Sequence, residues 1–351
     1  MVYKKIQLPR EVHIGPDIIG DIGKICSDLR FNNDALIVCG DTTYKIAGKT
    51  VIDSLSDEGF NTNFVKVDSA TQESVNKVKN YISSDCIVLG VGGGSIIDVA
   101  KLASTDMGTY FLSVPTVASH DGITSPLASI KSSKGSVSVS AQSPIAVVAD
   151  TEIINKAPYR FLASGCGDVI SNYTAVRDWK LARSLQGEFF SESAASLANM
   201  TATLITDGAD DIKPGHEASV RLVAKALFST GVAISIANSS RPASGSEHLF
   251  SHALDKIANK PALHGEQCGV GTILMMCLQG GDWRFIRDSL IKVQAPTTAK
   301  ELGISDEEII EALTLAHTIR DRYTILGDRG LSREAAEDLA IKTGVILWLH
   351  W

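Results

Sequence analysis

The sequence predicts an α/β N-terminal domain built on a parallel, Rossmann-like sheet, followed by an all-α C-terminal domain. Three observations carry this. Between residues 35 and 150 short β-branched runs alternate with amphipathic stretches, strand signals nearly vanish after residue 151, and 351 residues exceed the usual size of one domain, about 100 to 200. The boundary is placed so that residues 1–155 form the first domain and 156–351 the second.

In chain order, residues 35–40 read as a strand, 44–58 as a helix, 63–67 as a strand, 71–83 as a helix and 86–92 as a strand. A helix from Ser95 and a strand at 110–117 follow. Strand, helix, strand in that rhythm means parallel pairing with helices on the faces. Residues 125–140 read as a hairpin insert with Ser132-Ser133-Lys134-Gly135 as its turn, and 145–150 resumes the strand pattern. In the second half, apolar residues between 218 and 236 fall mostly at three- and four-residue spacing, which predicts a helix. Ser305-Asp306-Glu307-Glu308 is a capping box opening a helix toward Arg322, and residues 327–330 form the turn before another helix near Ser332.

A formal charge of −7 with scattered Lys and Arg argues against nucleic acid as the main partner, so an anionic substrate must be held by local donors. Six cysteines lie far apart with no C-x-x-C pair and no signal peptide, which predicts a cytoplasmic protein. The longest apolar run, roughly residues 268–278, falls short of the ~20 residues of a bilayer span, so no membrane span is expected. The apolar tail at 345–351 needs cover from its own core or from a second subunit, and a homo-oligomer is expected.

The run at residues 86–91 is an apolar strand, and Gly92-Gly93-Gly94 leads into the helical spacing of Ser95-Ile96-Ile97-Asp98. Successive glycines let backbone amides approach a pyrophosphate, and the helix N-terminus adds partial positive charge. Gly90-x-Gly92-x-x-Ser95 lacks the last glycine of the dinucleotide fingerprint, so a plain strand-to-helix turn stays open beside the phosphate cradle. Gly48-Lys49-Thr50 is no P-loop, because Thr43 stands where its first glycine belongs. Asp41, just past a strand, is placed either to accept from a cofactor ribose hydroxyl or to cap a helix.

His248 and His252 are four apart and share one helical face, and His264 follows in a His-Gly-Glu loop that a turn could bring back. Neutral imidazoles suit zinc or ferrous iron. Leu249 rules out an H-E-x-x-H site, and the lack of a thiolate cluster argues against a closed structural zinc. An open catalytic site wants a carboxylate as third ligand. Many acids could serve by spacing; Asp168, expected at the start of the first C-terminal helix, is favoured because glycines precede it. The remaining histidines, His13, His120, His216, His317 and His350, are read as ordinary surface or core residues.

With these motifs, the chain resembles the metal-dependent polyol dehydrogenase superfamily that includes glycerol dehydrogenase, iron-dependent alcohol dehydrogenase and dehydroquinate synthase. Within it the sequence is most similar to the sn-glycerol-1-phosphate dehydrogenases. The resemblance covers essentially the whole chain and is most specific at residues 113–122, 167–175 and 239–248. It implies a dehydroquinate synthase-like two-domain fold, one Zn2+ per subunit on Asp168, His248 and His264, and a substrate contacted by Asp121, Asp168 and His252. Of these, His252 and Asp121 take the catalytic roles: His252 relays a proton or holds a substrate hydroxyl, and Asp121 orients the substrate. It further implies NAD(H) or NADP(H) on Gly94, Ser95, Ile96, Ile97 and Asp98, on Thr116, Val117, Ala118 and Ser119, and on Ser125. Iron-type relatives add a histidine four residues after the aspartate. Asn172 stands there, so zinc is expected over iron.

The implied reaction is reduction of dihydroxyacetone phosphate to sn-glycerol 1-phosphate, a small phosphorylated substrate, for the backbone of archaeal-type ether lipids. The competing readings are a glycerol dehydrogenase acting on an uncharged polyol, a dehydroquinate synthase-like lyase and an idle nucleotide-binding protein. Arg241 is read either as the residue for the substrate phosphate or as a surface charge.

Overall fold

The computed structural model describes residues 6–31, 33–132 and 135–347. They form two compact units. The first comprises residues up to Tyr159 together with Pro214–Ser235, and the second comprises Arg160–Lys213 and everything from Ile236 onward.

The first unit is organised by a six-stranded sheet, parallel throughout, in the order β1-β8-β5-β4-β2-β3. The strands are β1 (Glu11–Gly15), β2 (Asp34–Cys39), β3 (Asn61–Lys66), β4 (Ile87–Gly92), β5 (Phe111–Pro115) and β8 (Ala146–Asp150). Every residue of β4, β5 and β8 is buried, as is all of β2 after its first. A sheet covered on both faces calls for continuous apolar runs, which is why these strands stood out in the sequence. Edge strand β1 did not: its five residues include Glu11 and His13 and only Gly15 is buried, so its place depends on pairing with β8. The insert is the antiparallel hairpin β6 (Leu127–Ser132) and β7 (Gly135–Ser140), with Leu127 opposite Ser140; its tip, Ser133 and Lys134, lies outside the described residues.

Strand order reverses beside β2, which has β3 on one side and β4 on the other. At such a switch point the carboxyl ends of adjacent strands leave a crevice that receives ligands in open α/β sheets. The turns leaving β2 and β4 begin with Gly40-Asp41 and Gly93-Gly94, and Ile96 lies 3.7 Å from where Gly40 would carry a Cβ.

Glu217–Ala237 is helical as the spacing predicts, and residues through Ser235 pack with the first unit, a partition that a single boundary at residue 155 does not express. Thr124 reaches the Leu227 and Phe228 carbonyls and Gly231 lies against Thr124. This 21-residue helix contains an 18-residue window of mean hydropathy 1.6, a longer apolar stretch than residues 268–278, so by length and composition alone it passes for a membrane span; 61% of that window is buried inside the protein, as in a core helix.

In the second unit the described residues contain helices and no strand. Those that matter below are Tyr159–Ile170, Asn172–Gln186, Ser246–Ile257 and His264–Leu278. The capping box at Ser305 is present: its hydroxyl accepts from the Glu308 amide at 3.3 Å while the Glu308 carboxylate accepts from the Ser305 amide at 2.9 Å. That helix, Asp306–Leu315, ends before Arg322 in the 3-10 turn Ala316–Thr318. Thr314, His317 and Thr318 hydrogen-bond the carbonyls of Glu311, Thr314 and Leu315, side-chain competition that loosens a helix end. The next helix, Arg333–Thr343, is capped by Ser332. Val345 and Ile346 are buried, and residues 348–351 of the tail lie outside the described residues.

Candidate active site

In the first unit, the glycines of β4 and of the turn after it each have their own reason. A Cβ on Gly90 would stand 3.0 Å from Phe111 and 3.1 Å from the Ala100 methyl, so this glycine lets helix Gly94–Met107 settle on the sheet. At Gly92 a Cβ would meet Ile96 at 2.8 Å, so the strand-to-helix turn could not close as tightly. The spaces left at Gly94 and Gly122 are both filled by the ring of His120, whose Nδ1 accepts from the Gly122 amide at 3.0 Å. His120 is thus the wedge that fixes the glycine loop against the segment carrying Asp121. No side chain caps this helix N-terminus, which leaves its first amides for a bound anion.

The segment leaving β5 is stitched to the same loop: the Thr116 amide donates to the Gly92 carbonyl at 3.0 Å, and Val117 lies 3.3 Å from where Gly93 would carry a Cβ. Ala118 is buried, Ser119 half-buried, and the Ser125 amide donates to the Asp121 carbonyl at 3.1 Å. The structure therefore gathers Gly94 through Asp98, Thr116 through Ser119, and Ser125 at the carboxyl edge of one sheet. Asp41 opens the helix after β2 with Gly40 as N-cap; its exposed carboxylate pairs with Lys66 at 2.7 Å.

Behind this edge lies Lys101, fully buried in the glycine-loop helix. Its ammonium donates to the carbonyls of Gly122 at 2.7 Å and Leu127 at 2.6 Å and lies 3.3 Å from Asp98. Asp98 in turn accepts from the Ser129 amide at 3.1 Å. Burial pushes the Lys101 pKa down, with Asp98 opposing. Burial also pushes the Asp121 carboxyl up to about 6, with Lys101 opposing.

In the second unit, Asp168, His248, His264 and Cys268 each offer a donor atom, and these four lie within 4.8 Å of one another. Asp168 Oδ1 is 3.8 Å from His248 Nε2 and 3.7 Å from His264 Nε2; Cys268 Sγ is 3.6 Å from that same nitrogen. Four donors at zinc bond lengths of about 2.0 to 2.3 Å span tetrahedron edges of roughly 3.3 to 3.5 Å. The three quoted pairs exceed those edges by only a few tenths of an ångström, and a carboxylate with two imidazoles is a zinc donor set, so the residues fit that metal.

Two placements differ from expectation. Asp168 lies near the end of helix Tyr159–Ile170, not at its start, and His264 opens helix His264–Leu278 rather than sitting in a loop. The glycines before Asp168 act by bringing these helices together: a Cβ on Gly167 would collide with the Gly265 carbonyl, and one on Gly265 with the Ser164 carbonyl. Asn172, at the position where iron-type relatives add a histidine, turns its amide to Thr201 at 2.9 Å and Ala198 at 3.3 Å.

The imidazoles are held from behind. Glu247, fully buried, receives the Gly245 amide at 2.6 Å and the Thr174 hydroxyl at 2.8 Å, and its Oε1 lies 2.9 Å from His248 Nδ1. That arrangement fixes the ring with Nε2 facing Asp168. Burial pushes the Glu247 carboxyl up to about 7. Ser251 Oγ lies 3.3 Å from His264 Nδ1. Glu266, in the first turn of the His264 helix, is gripped by Arg160 at two distances of 2.6 Å. Asp178 receives the Ser246 amide at 2.7 Å and hydroxyl at 2.6 Å, which anchors the start of the helix carrying His248 and His252.

His252 is on the same helix as His248, its ring centroid 6.4 Å from that of His248 and 5.7 Å from that of His264. The Arg320 guanidinium donates to His252 Nε2 at 2.9 Å, so Nε2 carries no hydrogen and the ring is neutral, its Nδ1 3.6 Å from Asp255 Oδ2. Burial lowers its pKa further. Arg241 is engaged elsewhere: it grips Glu188 through Nε and Nη2 and donates through Nη1 to the Tyr323 carbonyl at 2.8 Å, which corrects its reading as the phosphate residue.

Sequence reasoning missed Cys268, Glu247, Lys101 and Arg320. Cys268 stands four residues after His264, the same helical repeat that singled out His248 and His252, so its signal was present. Glu247 and Lys101 carried only the weak signal of charges inside otherwise apolar helical runs. Arg320 carried none.

The family described as iron-containing alcohol dehydrogenase matches residues 13–158. Glycerol-1-phosphate dehydrogenase (NAD(P)+) of Methanobrevibacter smithii is 62% identical over 344 residues, 98% of this chain and 99% of the relative. The enzyme of that name from Methanothermobacter thermautotrophicus is 63% identical over 98% and 99%. Among solved structures, glycerol dehydrogenase from Schizosaccharomyces pombe superposes with a TM-score of 0.82 at 20% identity, covering 98% of this chain and 91% of that one. NADH-dependent butanol dehydrogenase A from Thermotoga maritima does so at 0.74 and 18%, covering 98% of each. At that identity the structures establish the shared fold, and the near relatives establish the family: the chain belongs to the glycerol-1-phosphate dehydrogenases, NAD(P)-dependent oxidoreductases.

Proposed function

We propose that this chain reduces dihydroxyacetone phosphate to sn-glycerol 1-phosphate, consuming NADH or NADPH and one proton, as the supply of glycerophosphate backbone for archaeal-type ether lipids. One zinc ion per subunit on Asp168, His248 and His264 would supply a Lewis acid toward the C2 carbonyl oxygen, and the nicotinamide would supply the hydride. The observation that supports this most is the convergence of a carboxylate and two imidazoles, 3.7 and 3.8 Å apart, in a chain 62% identical to a glycerol-1-phosphate dehydrogenase.

The chain's own residues then have separate tasks. Glu247 and Ser251 hold the two imidazoles in their tautomers and orientations. The amides at Gly94 and Ser95 and the segment from Thr116 to Ser119 receive the nucleotide. His252, neutral with Nε2 unprotonated, accepts a substrate hydroxyl hydrogen bond, and a proton taken up from solvent at that nitrogen would be the one passed on to complete the new alcohol. Asp121 orients the substrate through its carboxyl. Cytoplasmic location is supported by six free cysteines, and a homo-oligomer by exposed Leu185, Phe189, Met200 and Leu204 in the second unit.

A spectrophotometric assay with dihydroxyacetone phosphate and each reduced nucleotide, followed by chiral analysis of the product and metal analysis of the protein, tests the reading. Nucleotide oxidation with sn-glycerol 1-phosphate as product is expected. Turnover of unphosphorylated dihydroxyacetone alone would overturn it, and so would an enzyme that shows no net nucleotide oxidation.

A further inference from the structure

Arg320 and Arg322 lie on the segment that follows the 3-10 turn Ala316–Thr318; Arg320 turns to His252, and Arg322 to the segment that leads into the helix of His248 and His252. Arg320 donates to His252 Nε2 at 2.9 Å; Arg322 donates to the Ser244 carbonyl and, at 2.6 Å, to the Ser240 hydroxyl. Neither guanidinium pairs with a carboxylate among the described residues, whereas neighbouring Arg241 is neutralised by Glu188. Cations shielded from water are normally matched by an anion. Burial lowers the pKa of both arginines; at Arg322, which falls to about 10, Arg241 and Arg320 act in the same direction and Glu247 and Glu188 oppose them from beyond ion-pair distance, so no carboxylate meets either guanidinium directly.

The missing counter-ion has a chemical class. A planar fork of donors matches a phosphate group, and Arg320 already touches the side chain proposed to meet the substrate hydroxyl. We infer that Arg320, with Arg322 beside it, receives the phosphate of a phosphorylated ketone substrate. This rests on the proposed function, in which His252 faces substrate. A phosphate that draws Arg320 away from His252 also frees Nε2 for the substrate hydroxyl, so the group that marks the correct substrate would arm the residue that helps reduce it.

The test compares wild type with Arg320→Met and Arg320→Lys, using dihydroxyacetone phosphate, unphosphorylated dihydroxyacetone and inorganic phosphate as probes. Expected for Arg320→Met is a fall in kcat/KM of about 100-fold for the phosphorylated ketone, chiefly through KM, and a rise for the unphosphorylated one, because His252 Nε2 is then free without a phosphate to draw the guanidinium away. Inorganic phosphate should inhibit the wild type competitively and lose its hold on the variant. Arg320→Lys keeps the cation without the fork, guards against collapse of the fold and should fall between. Equal loss with both ketones would show that Arg320 acts only through His252 and would overturn the inference, as would unchanged phosphate inhibition. If the wild type fails to reduce dihydroxyacetone phosphate yet binds inorganic phosphate in calorimetry, and Arg320→Met abolishes that binding, the phosphate site stands and the proposed function falls.

Discussion

Glu247 Oε1 lies 2.9 Å from His248 Nδ1, so a carboxylate directly before a candidate metal ligand in the chain also fixes that ligand's ring in space. Replacement by glutamine keeps the volume and removes the charge. Glu247→Gln should weaken zinc binding by about 10- to 100-fold and reduce activity in proportion. Chelator competition on the purified variant checks this; unchanged affinity would reduce Glu247 to packing.

The two helices that carry Asp168 and His264 meet through glycine. Gly265→Ala would press a methyl onto the Ser164 carbonyl, so the backbones must separate. A cost of about 1 to 3 kcal/mol in stability is expected, with loss of zinc out of proportion to the drop in melting temperature. Thermal unfolding with and without added zinc separates the two effects.

Asp41 and Lys66 form an exposed pair at 2.7 Å beside the switch point of the sheet. The carboxylate suits a ribose hydroxyl and repels a 2′-phosphate, whereas the ammonium attracts one. Asp41→Ala should shift the ratio of kcat/KM values toward NADPH, and Lys66→Ala toward NADH. If both ratios stay put, the pair does not meet the nucleotide.

Burial places Asp121's ionisation near pH 6, above its ordinary 3.8. For a carboxyl with a raised folded pKa, the stabilising contribution is full below about pH 4 and is lost as pH rises through 6. Ionisation in the same window should raise kcat/KM as the carboxylate gains acceptor strength. Asp121→Asn should flatten both profiles between pH 5 and 7, measured by unfolding and by steady-state rates.

Burial pushes the Cys26 and Cys166 thiols up to about 12 and those of Cys39 and Cys86 to about 11, and Cys268 is fully buried. Only Cys277 is partly accessible. A thiol reagent at neutral pH should therefore modify one cysteine per native chain and all six after denaturation. Rapid labelling of a second native thiol would contradict the packing of these cores.

The parallel sheet was legible because β2, β4, β5 and β8 are covered on both faces, which forces unbroken apolar runs such as residues 86–91. Strand β1 was not, because an edge strand with Glu11 and His13 obeys no such constraint. Among the candidate ligands, His248 and His252 were legible from their four-residue repeat. The tertiary partners were not: the Arg320 contact with His252 joins residues 68 apart in the chain, and the contact of Gly167 with Gly265 depends on how two helices cross. Spacing reports what one element presents and is silent on what another brings to meet it.

Where Gly167 and Gly265 touch, the distance between the carboxylate and the imidazole on either helix is dictated by main chain against main chain, with no side chain to serve as a compressible spacer. Repacking of leucines or valines elsewhere in the unit can proceed with the jaws of the ion site keeping their gauge. Adding one methyl at either glycine would reset that gauge at once, so these two hydrogens are the dimension from which the bite of the site is cut.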